Sequence, residues 1–134
     1  MQETGILLAA NRLSGNFPTI AAFADDIRNH DMIAPRRMAE RLRLPLILLA
    51  KLAQVNRNTM AAKPGSPAVQ AQLGEIAQII ARAAELSGDE GHTIIWFRHQ
   101  PLPGFSKTPE QLVEEGHAAL VLRDLDRMAE GVYS

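Results

Sequence analysis

The segment from residue 96 to residue 133, WFRHQPLPGFSKTPEQLVEEGHAALVLRDLDRMAEGVY, carries the turn and capping signals that decide the fold. It contains the only Trp and the only Tyr of the chain. A helix ending near His99 runs into Pro101, Pro103 and Gly104, where proline fixes φ and removes a backbone N–H. We therefore expect a rigid loop after that helix.

The loop leads into a short helix that is marked at both ends. Thr108 is the predicted N-cap, Pro109 stands at the first helical position, and Gln111 occupies the capping-box position three residues after the cap. Gly116 lies where a C-cap residue with positive φ is needed. The final helix is expected to carry one apolar stripe, formed by Leu122, Leu125, Met128 and Ala129.

The order and spacing of these features resemble the toxin-binding domain of the MbcA/ParS/Xre antitoxin family. The resemblance is strong over the last part of the chain and extends more loosely, through an upstream helix-turn-helix pattern, over most of it. The matching parts are the Trp96 helix, the Pro-Leu-Pro-Gly loop at 101–104, Thr108-Pro109 followed by Leu112, Gly116, and the Gly131-Val132-Tyr133 ending.

Proteins of that family are antitoxins of type II toxin–antitoxin pairs, and the resemblance implies the same role here. It implies a RES-domain toxin partner that depletes NAD, blocked at its active-site entrance, and repression of the antitoxin's own operon through operator DNA. We expect Thr108, Pro109, Leu112 and Gly116 to hold the toxin-binding surface in shape. The expected toxin contacts are Leu102, Phe105, Lys107, Ala129, Glu130, Gly131, Val132, Tyr133 and Ser134.

Two interpretations stay open for the apolar members of this set. Leu102 and Phe105 lie on a proline-stiffened loop that loses little entropy on docking, so they are either plugs that close the core or anchors in a partner pocket. The same two interpretations are open for Val132 and Tyr133.

The apolar run before the loop is expected to enter the core. It consists of Ile94, Ile95, Trp96 and Phe97.

Composition excludes several classes of protein. The chain has no cysteine, which excludes disulfides and thiolate metal sites and favours a reducing cytoplasm. No run is long enough to cross a membrane, and the acidic start does not resemble a signal peptide. His92 and His99 lie two helical turns apart, too far for one metal ion. Because no phosphate loop or nucleophile elbow is present, we expect neither an enzyme nor a cofactor.

The charges are distributed unevenly along the chain. Residues 1–67 hold nine basic and five acidic residues, whereas residues 68–134 hold five basic and ten acidic ones. Within 36–63 the count is seven basic to one acidic. A basic N-terminal half and an acidic C-terminal half predict two surfaces for two kinds of partner. The N-terminal half is the one suited to a polyanion. The alternative is solvated charge without a function.

The segment 46–63, LILLAKLAQVNRNTMAAK, predicts a helix-turn-helix within the basic half. Ala50 is small enough to let two helices approach, Val55 fills the angle between them, and Asn56 can cap the second helix. Gln54 stands where such motifs usually place glycine, so the turn must either strain a residue that has a side chain or be built differently.

We expect the second helix of this motif to enter a groove of DNA. Arg and Asn can contact base edges, whereas basic side chains further away suit phosphates. The alternative is that Asn56 and Thr59 only cap and solvate a helical hairpin. The expected DNA-binding residues are Asn56, Arg57, Asn58, Thr59, Lys63, Arg36 and Arg37.

Further helices complete the predicted all-α fold. One opens at Pro18, carries Ile20, and ends near His30; another opens at Pro35. A long helix over 68–86 has an Ala-rich stripe that suits either a dimer contact or the central core of a monomer.

The predicted organisation is a loose N-terminal arm at 1–16, a helix-turn-helix lobe at 17–66, and a dimerisation helix with a toxin-binding domain at 67–134. We expect a homodimer. A stand-alone dimeric helix-turn-helix regulator without a toxin partner is the alternative function.

Overall fold

The structure, a computed structural model, describes residues 22–29 and 31–133, with side chains up to residue 131. The predicted arm at 1–16, the helix start at Pro18 and Ile20, and Ser134 lie outside the described residues. The described chain is mostly helical, as predicted. Its elements are a helical stretch at 22–26, strands β1 (Arg28–Asn29) and β2 (Met32–Ile33), and helices α1 (Pro35–Leu42), α2 (Leu46–Leu52), α3 (Arg57–Ala62), α4 (Pro67–Ser87), α5 (Glu90–His99), α6 (Pro109–Glu114) and α7 (Ala118–Tyr133).

Helix α4 is the centre of the packing. It begins after Ser66, whose hydroxyl accepts a hydrogen bond from the Val69 N–H at 3.3 Å, and it ends at Gly88, where φ is +79°. It packs against α5, α7 and β2. Other elements of the same chain cover its predicted apolar stripe. This favours the interpretation of α4 as the central core helix over a dimer contact. The buried residues of α4 are Val69, Leu73, Ile76, Ile79, Ile80, Ala83 and Ala84.

Local capping signals determine where most helices begin. The Asn56 side chain accepts a hydrogen bond from the Asn58 N–H, and the Asp89 side chain accepts one from the Gly91 N–H. At α6 the predicted capping box is complete. The Gln111 N–H donates to the Thr108 hydroxyl at 3.1 Å, and the Thr108 N–H donates to the Gln111 side chain at 2.9 Å.

The prediction that the first helix continues to about His30 is wrong. The helical stretch ends at residue 26, and β1 and β2 then pair antiparallel, with Arg28 opposite Ile33. Gln70 of α4 favours the strand pair, because its side chain accepts a hydrogen bond from the Ile33 N–H at 2.8 Å and donates one to the Ile33 carbonyl at 2.9 Å, which attaches β2 to α4.

The predicted burial of four consecutive residues of α5 is also wrong in part. Ile94 and Phe97 are in the core, Trp96 is half-buried, and Ile95 is 56% exposed. Successive residues of a helix are about 100° apart around its axis, so one stripe toward the core cannot include all four.

Candidate nucleic-acid and protein interfaces

Two short helices, α2 and α3, meet through small and apolar side chains in the basic half of the chain. Ala50, Ala53 and Met60 are buried between or beneath them, and Val55 is half-buried in the connection. The Val55 N–H donates to the Ala50 carbonyl at 3.0 Å, which closes the turn. The sequence predicted a helix on each side of this turn, and the helix-turn-helix interpretation of the pair stays a prediction.

Gln54 adopts the left-handed conformation, with φ at +61°, so of the two alternatives the turn is the one that strains a residue with a side chain. Its side-chain amide donates to the carbonyl of Glu114 at 2.6 Å and, more weakly, to that of Val113 at 3.4 Å. Lys51 lies close by, with its ammonium 3.6 Å from the Glu114 carboxylate. The turn before α3 is therefore attached to the last turn of α6.

The predicted DNA-binding residues of α3 are all exposed, but they differ in what else they do. The Asn56 carboxamide oxygen is engaged by the Asn58 N–H at 2.7 Å. Arg57, Asn58 and Thr59 present their side chains to solvent at the start of α3, whereas Lys63 lies at its far end. The start of α3 is thus the part that combines exposure with hydrogen-bonding capacity.

The two predicted arginines of α1 lie apart from this group. Arg36 is exposed, and Arg37 donates to the carbonyl of Arg28 in β1 at 2.7 Å. Arg41 of the same helix is engaged inside the protein: it pairs with Glu90 and with Asp26, the latter at 3.2 Å. Its hydrogen bonds to Glu90 raise the pKa of Arg41. The Arg41 charge therefore stabilises the contact between α1 and α5.

A groove of about 410 Å³ runs beside the start of α3. Asn56, Arg57 and Asn58 line one part of it, and Ile47 and Lys51 of α2 line another. Ile47 and Lys51 were not among the predicted DNA-binding residues. Their i, i+4 spacing on α2, opposite to buried Leu49 and Leu52, is the signal that could have found them.

Two of the apolar residues predicted for toxin contact, Leu102 and Phe105, lie on the loop between α5 and α6, and they differ in burial. Leu102 is 2% exposed, and its N–H donates to the Lys107 carbonyl at 2.8 Å. Leu102 therefore closes the core, which decides between its two interpretations. Phe105 is half-buried, and the Lys107 ammonium pairs with Glu115 at 2.8 Å.

Phe105 and the predicted segment of α7 come together in a second groove, of about 540 Å³. Glu130 lines it with Phe105, while Ala129 is half-buried and Gly131 is exposed. The side chains of Val132 and Tyr133, and all of Ser134, lie outside the described residues, so the structure does not place them. Phe105 and Glu130 are the predicted contacts that the structure brings to one groove.

Charged residues of α7 that were not among the predicted toxin contacts also line the second groove. Asp124 is 5% exposed and pairs with Arg127, while Asp126 pairs with Arg82 of α4. Arg123 adds a further cation. The groove therefore offers an aromatic ring and charges of both signs, which suits a protein surface better than a polyanion.

A third cavity, of about 290 Å³, is almost wholly apolar and lies between α4, α5 and α7. Trp96, Leu86 and Met128 line it, with the hydroxyls of Ser87 and Thr93, 2.8 Å apart, at one end. These hydroxyls are engaged with each other and with the Asp89 backbone, and so they belong to the α4–α5 turn.

Comparisons with known proteins add no identification. No family model, curated protein or solved structure shows significant similarity to the chain. Within the described residues, no group of three His, Asp or Glu side chains is arranged to hold a metal ion. No described helix has the length and apolar character needed to span a bilayer.

Proposed function

We propose that this protein is an antitoxin that binds a RES-type, NAD-depleting toxin through its C-terminal half and represses its own operon by binding operator DNA. The observation that carries the proposal is the presence of two exposed grooves of different chemistry. One combines cations and amides at the start of α3. The other combines Phe105 with the mixed charges of α7.

The first groove suits DNA because of what its residues can donate. Arg57 can make a bidentate contact to guanine and Asn58 one to adenine, and both are exposed. Buried Ala50 and Met60 and half-buried Val55 are compatible with a helix-turn-helix, and the start of α3 is exposed as that motif would need. Lys63 and Arg36 are exposed for phosphate contacts.

The second groove suits a protein partner because an aromatic side chain at a pocket edge is a frequent anchor of protein interfaces. Phe105 is held there by the Phe105 N–H bond to the Leu102 carbonyl at 3.1 Å. The resemblance of residues 96–133 to the antitoxin family supplies the class of partner. Its RES domain and its NAD-depleting activity come from that resemblance alone.

The decisive experiment is co-expression with the product of the adjacent reading frame. We expect the two proteins to copurify, and we expect the antitoxin to restore growth and the cellular NAD level when the neighbouring product alone lowers both. A neighbour without RES-type sequence, or one that does not bind the purified protein, would contradict the proposal.

A second candidate function is a stand-alone dimeric DNA-binding regulator. The exposed Arg57 and Asn58 at the start of α3 favour it, because binding to DNA alone would account for them without a toxin. Under this alternative the protein shifts operator DNA and forms dimers, but no neighbouring product binds Phe105 or α7. Copurification therefore discriminates between the two functions.

A further inference from the structure

Ile47 is an apolar side chain placed on a basic surface. It is 61% exposed, the most exposed of the large apolar side chains found among the described residues. Ile95 and Met128 are also exposed, and they lie on α5 and α7. Ile47 instead lines the groove at the start of α3, together with Arg57 and Asn58.

Apolar and polar residues both line the groove around Ile47. Ala50 and Val55 contribute further apolar surface, while Lys51 and Arg57 contribute positive charge. Lys51 remains 66% exposed although it lies 3.6 Å from Glu114, so its ammonium can reach a second anion. A ligand that suits this groove is anionic and hydrogen-bonding, and it carries a small apolar group.

Double-stranded DNA offers that combination in its major groove. Each phosphate is an anion, the base edges carry donors and acceptors, and the thymine 5-methyl is the apolar group exposed there. If Arg57 and Asn58 approach base edges, Ile47 approaches the same base pairs because it lines the same groove.

We propose that Ile47 is a specificity-determining residue that contacts a thymine 5-methyl group in the bound DNA. This inference rests on the proposed DNA-binding function and adds a base preference to it. Removing one methyl from a buried contact costs about 0.8 kcal/mol, which corresponds to about fourfold weaker binding. The protein should therefore bind a duplex with thymine at the contacted position about fourfold more tightly than the same duplex with uracil there.

The test uses the full chain and a duplex selected from a random pool by the wild-type protein. Each thymine of the selected duplex is replaced in turn by deoxyuridine, which removes the 5-methyl and keeps the phosphates and the base-pairing groups. We expect the replacement at the contacted position to weaken binding about fourfold. The Ile47→Ala variant is expected to bind the thymine and uracil duplexes equally well.

Ile95→Ala is the matched control, because Ile95 is comparably exposed, at 56%, and lies on α5. This control should keep the preference for thymine. Thermal unfolding of both variants should match the wild type, since both side chains are largely in water. Unchanged binding after every methyl removal, or a preference that survives in Ile47→Ala, overturns the inference while leaving DNA binding intact. If no duplex is selected at all, the inference and the DNA half of the proposed function both fail.

Discussion

The side-chain amide of Gln54 donates a hydrogen bond to the backbone carbonyl of Glu114 at 2.6 Å. Gln54 has a φ of +61°, a conformation that costs a residue with a side chain about 1 to 2 kcal/mol. A net hydrogen bond contributes about 0.5 to 1.5 kcal/mol, so the side chain offsets much of the cost of its own backbone. The bond also connects the turn before α3 with the end of α6.

The first prediction concerns this offset. Gln54→Ala should lower the free energy of unfolding by about 1 kcal/mol, because it keeps the left-handed conformation and loses the bond to α6. Gln54→Gly loses the same bond but relieves the backbone, so its stability should stay within about 0.5 kcal/mol of the wild type. Urea unfolding of the three proteins measures both differences.

Two outcomes would contradict this account of Gln54. If glycine destabilises the protein as much as alanine does, the left-handed conformation is not costly at this position. If alanine has no effect, the bond to the Glu114 carbonyl does not contribute to stability.

The second prediction concerns Arg41, which joins α1 to α5 through Glu90. The Arg41 Nε–H donates to Glu90 at 2.9 Å, and the two side chains are 26% and 17% exposed. Arg41→Met should lower the unfolding free energy by about 1.5 to 3 kcal/mol, because a half-buried carboxylate loses its charged donor. Adding Glu90→Gln should restore part of that loss.

Asp26→Asn provides the comparison for this pair. The Asp26 side chain is 55% exposed, so its 3.2 Å ion pair with Arg41 is screened by water and should contribute less than about 1 kcal/mol. Equal losses from Asp26→Asn and Arg41→Met would show that the Glu90 contact is not the important one. Guanidinium unfolding curves measured at one pH would give all four values.

How much of the fold the sequence could predict depended on how far apart the interacting residues are along the chain. The capping box of Thr108 and Gln111 and the positive φ of Gly116 were predictable because each depends on neighbours within one turn. Strain at Gln54 was one of two alternatives that the sequence left open, and the partner that accepts its hydrogen bond, Glu114, is 60 residues away. A single sequence carries no signal for such a pair.

The candidate grooves show the same limit. The exposed start of α3 followed from its cap, whereas the contribution of Ile47 depended on how α2 packs against α3. Leu102 and Phe105 have the same chemistry on one loop, and only tertiary packing made the former buried and left the latter at a groove. For the same reason the β1–β2 pair was missed, since its stabilising partner Gln70 lies on α4.

The third prediction concerns the pH dependence of stability. Burial raises the pKa of Glu85, and the nearby charge of Arg82 opposes this effect. A raised pKa in the folded state means that folding is favoured by the protonated carboxyl. This contribution is fully present below the ordinary pKa and is lost as the pH rises through the folded value. Glu85→Gln should therefore gain thermal stability relative to the wild type between about pH 4 and pH 7.

Arg82→Gln tests the direction of the opposing charge. Without Arg82 the pKa of Glu85 should rise further, so the wild-type decline in stability with pH should become steeper in this variant. Melting temperatures recorded in one buffer series would show it. Parallel pH profiles for the wild type and Glu85→Gln would exclude Glu85 as a source of the dependence.

The fourth prediction concerns DNA recognition by α3. Arg57→Ala and Asn58→Ala should each weaken binding to a selected duplex by about 1 to 3 kcal/mol, the value of a lost bidentate base contact. Lys63→Ala should weaken binding to all duplexes alike and reduce the dependence on salt, because phosphate contacts carry no sequence information. Binding isotherms at two salt concentrations separate these effects. A double Arg57→Ala, Asn58→Ala variant that binds like the wild type would exclude α3 as the recognition helix.

The last prediction separates the structural role of Leu102 from the binding role proposed for Phe105. Leu102 is 2% exposed, so Leu102→Ala should destabilise the fold by about 2 to 5 kcal/mol. Phe105 is half-buried at the groove with Glu130, so Phe105→Ala should weaken toxin binding by about 2 kcal/mol or more if Phe105 is an anchor. Removing residues 131–134 should weaken it further.

Ile95→Ala serves as the control, because Ile95 is exposed on α5 and does not line the groove that contains Phe105. It should leave the affinity for the toxin unchanged. The affinity is measured by calorimetry, and thermal unfolding of each variant shows whether a loss of binding comes from a loss of fold. If Phe105→Ala combined with the 131–134 deletion is folded and binds the toxin as tightly as the wild type does, the groove between the loop and α7 is not the docking surface.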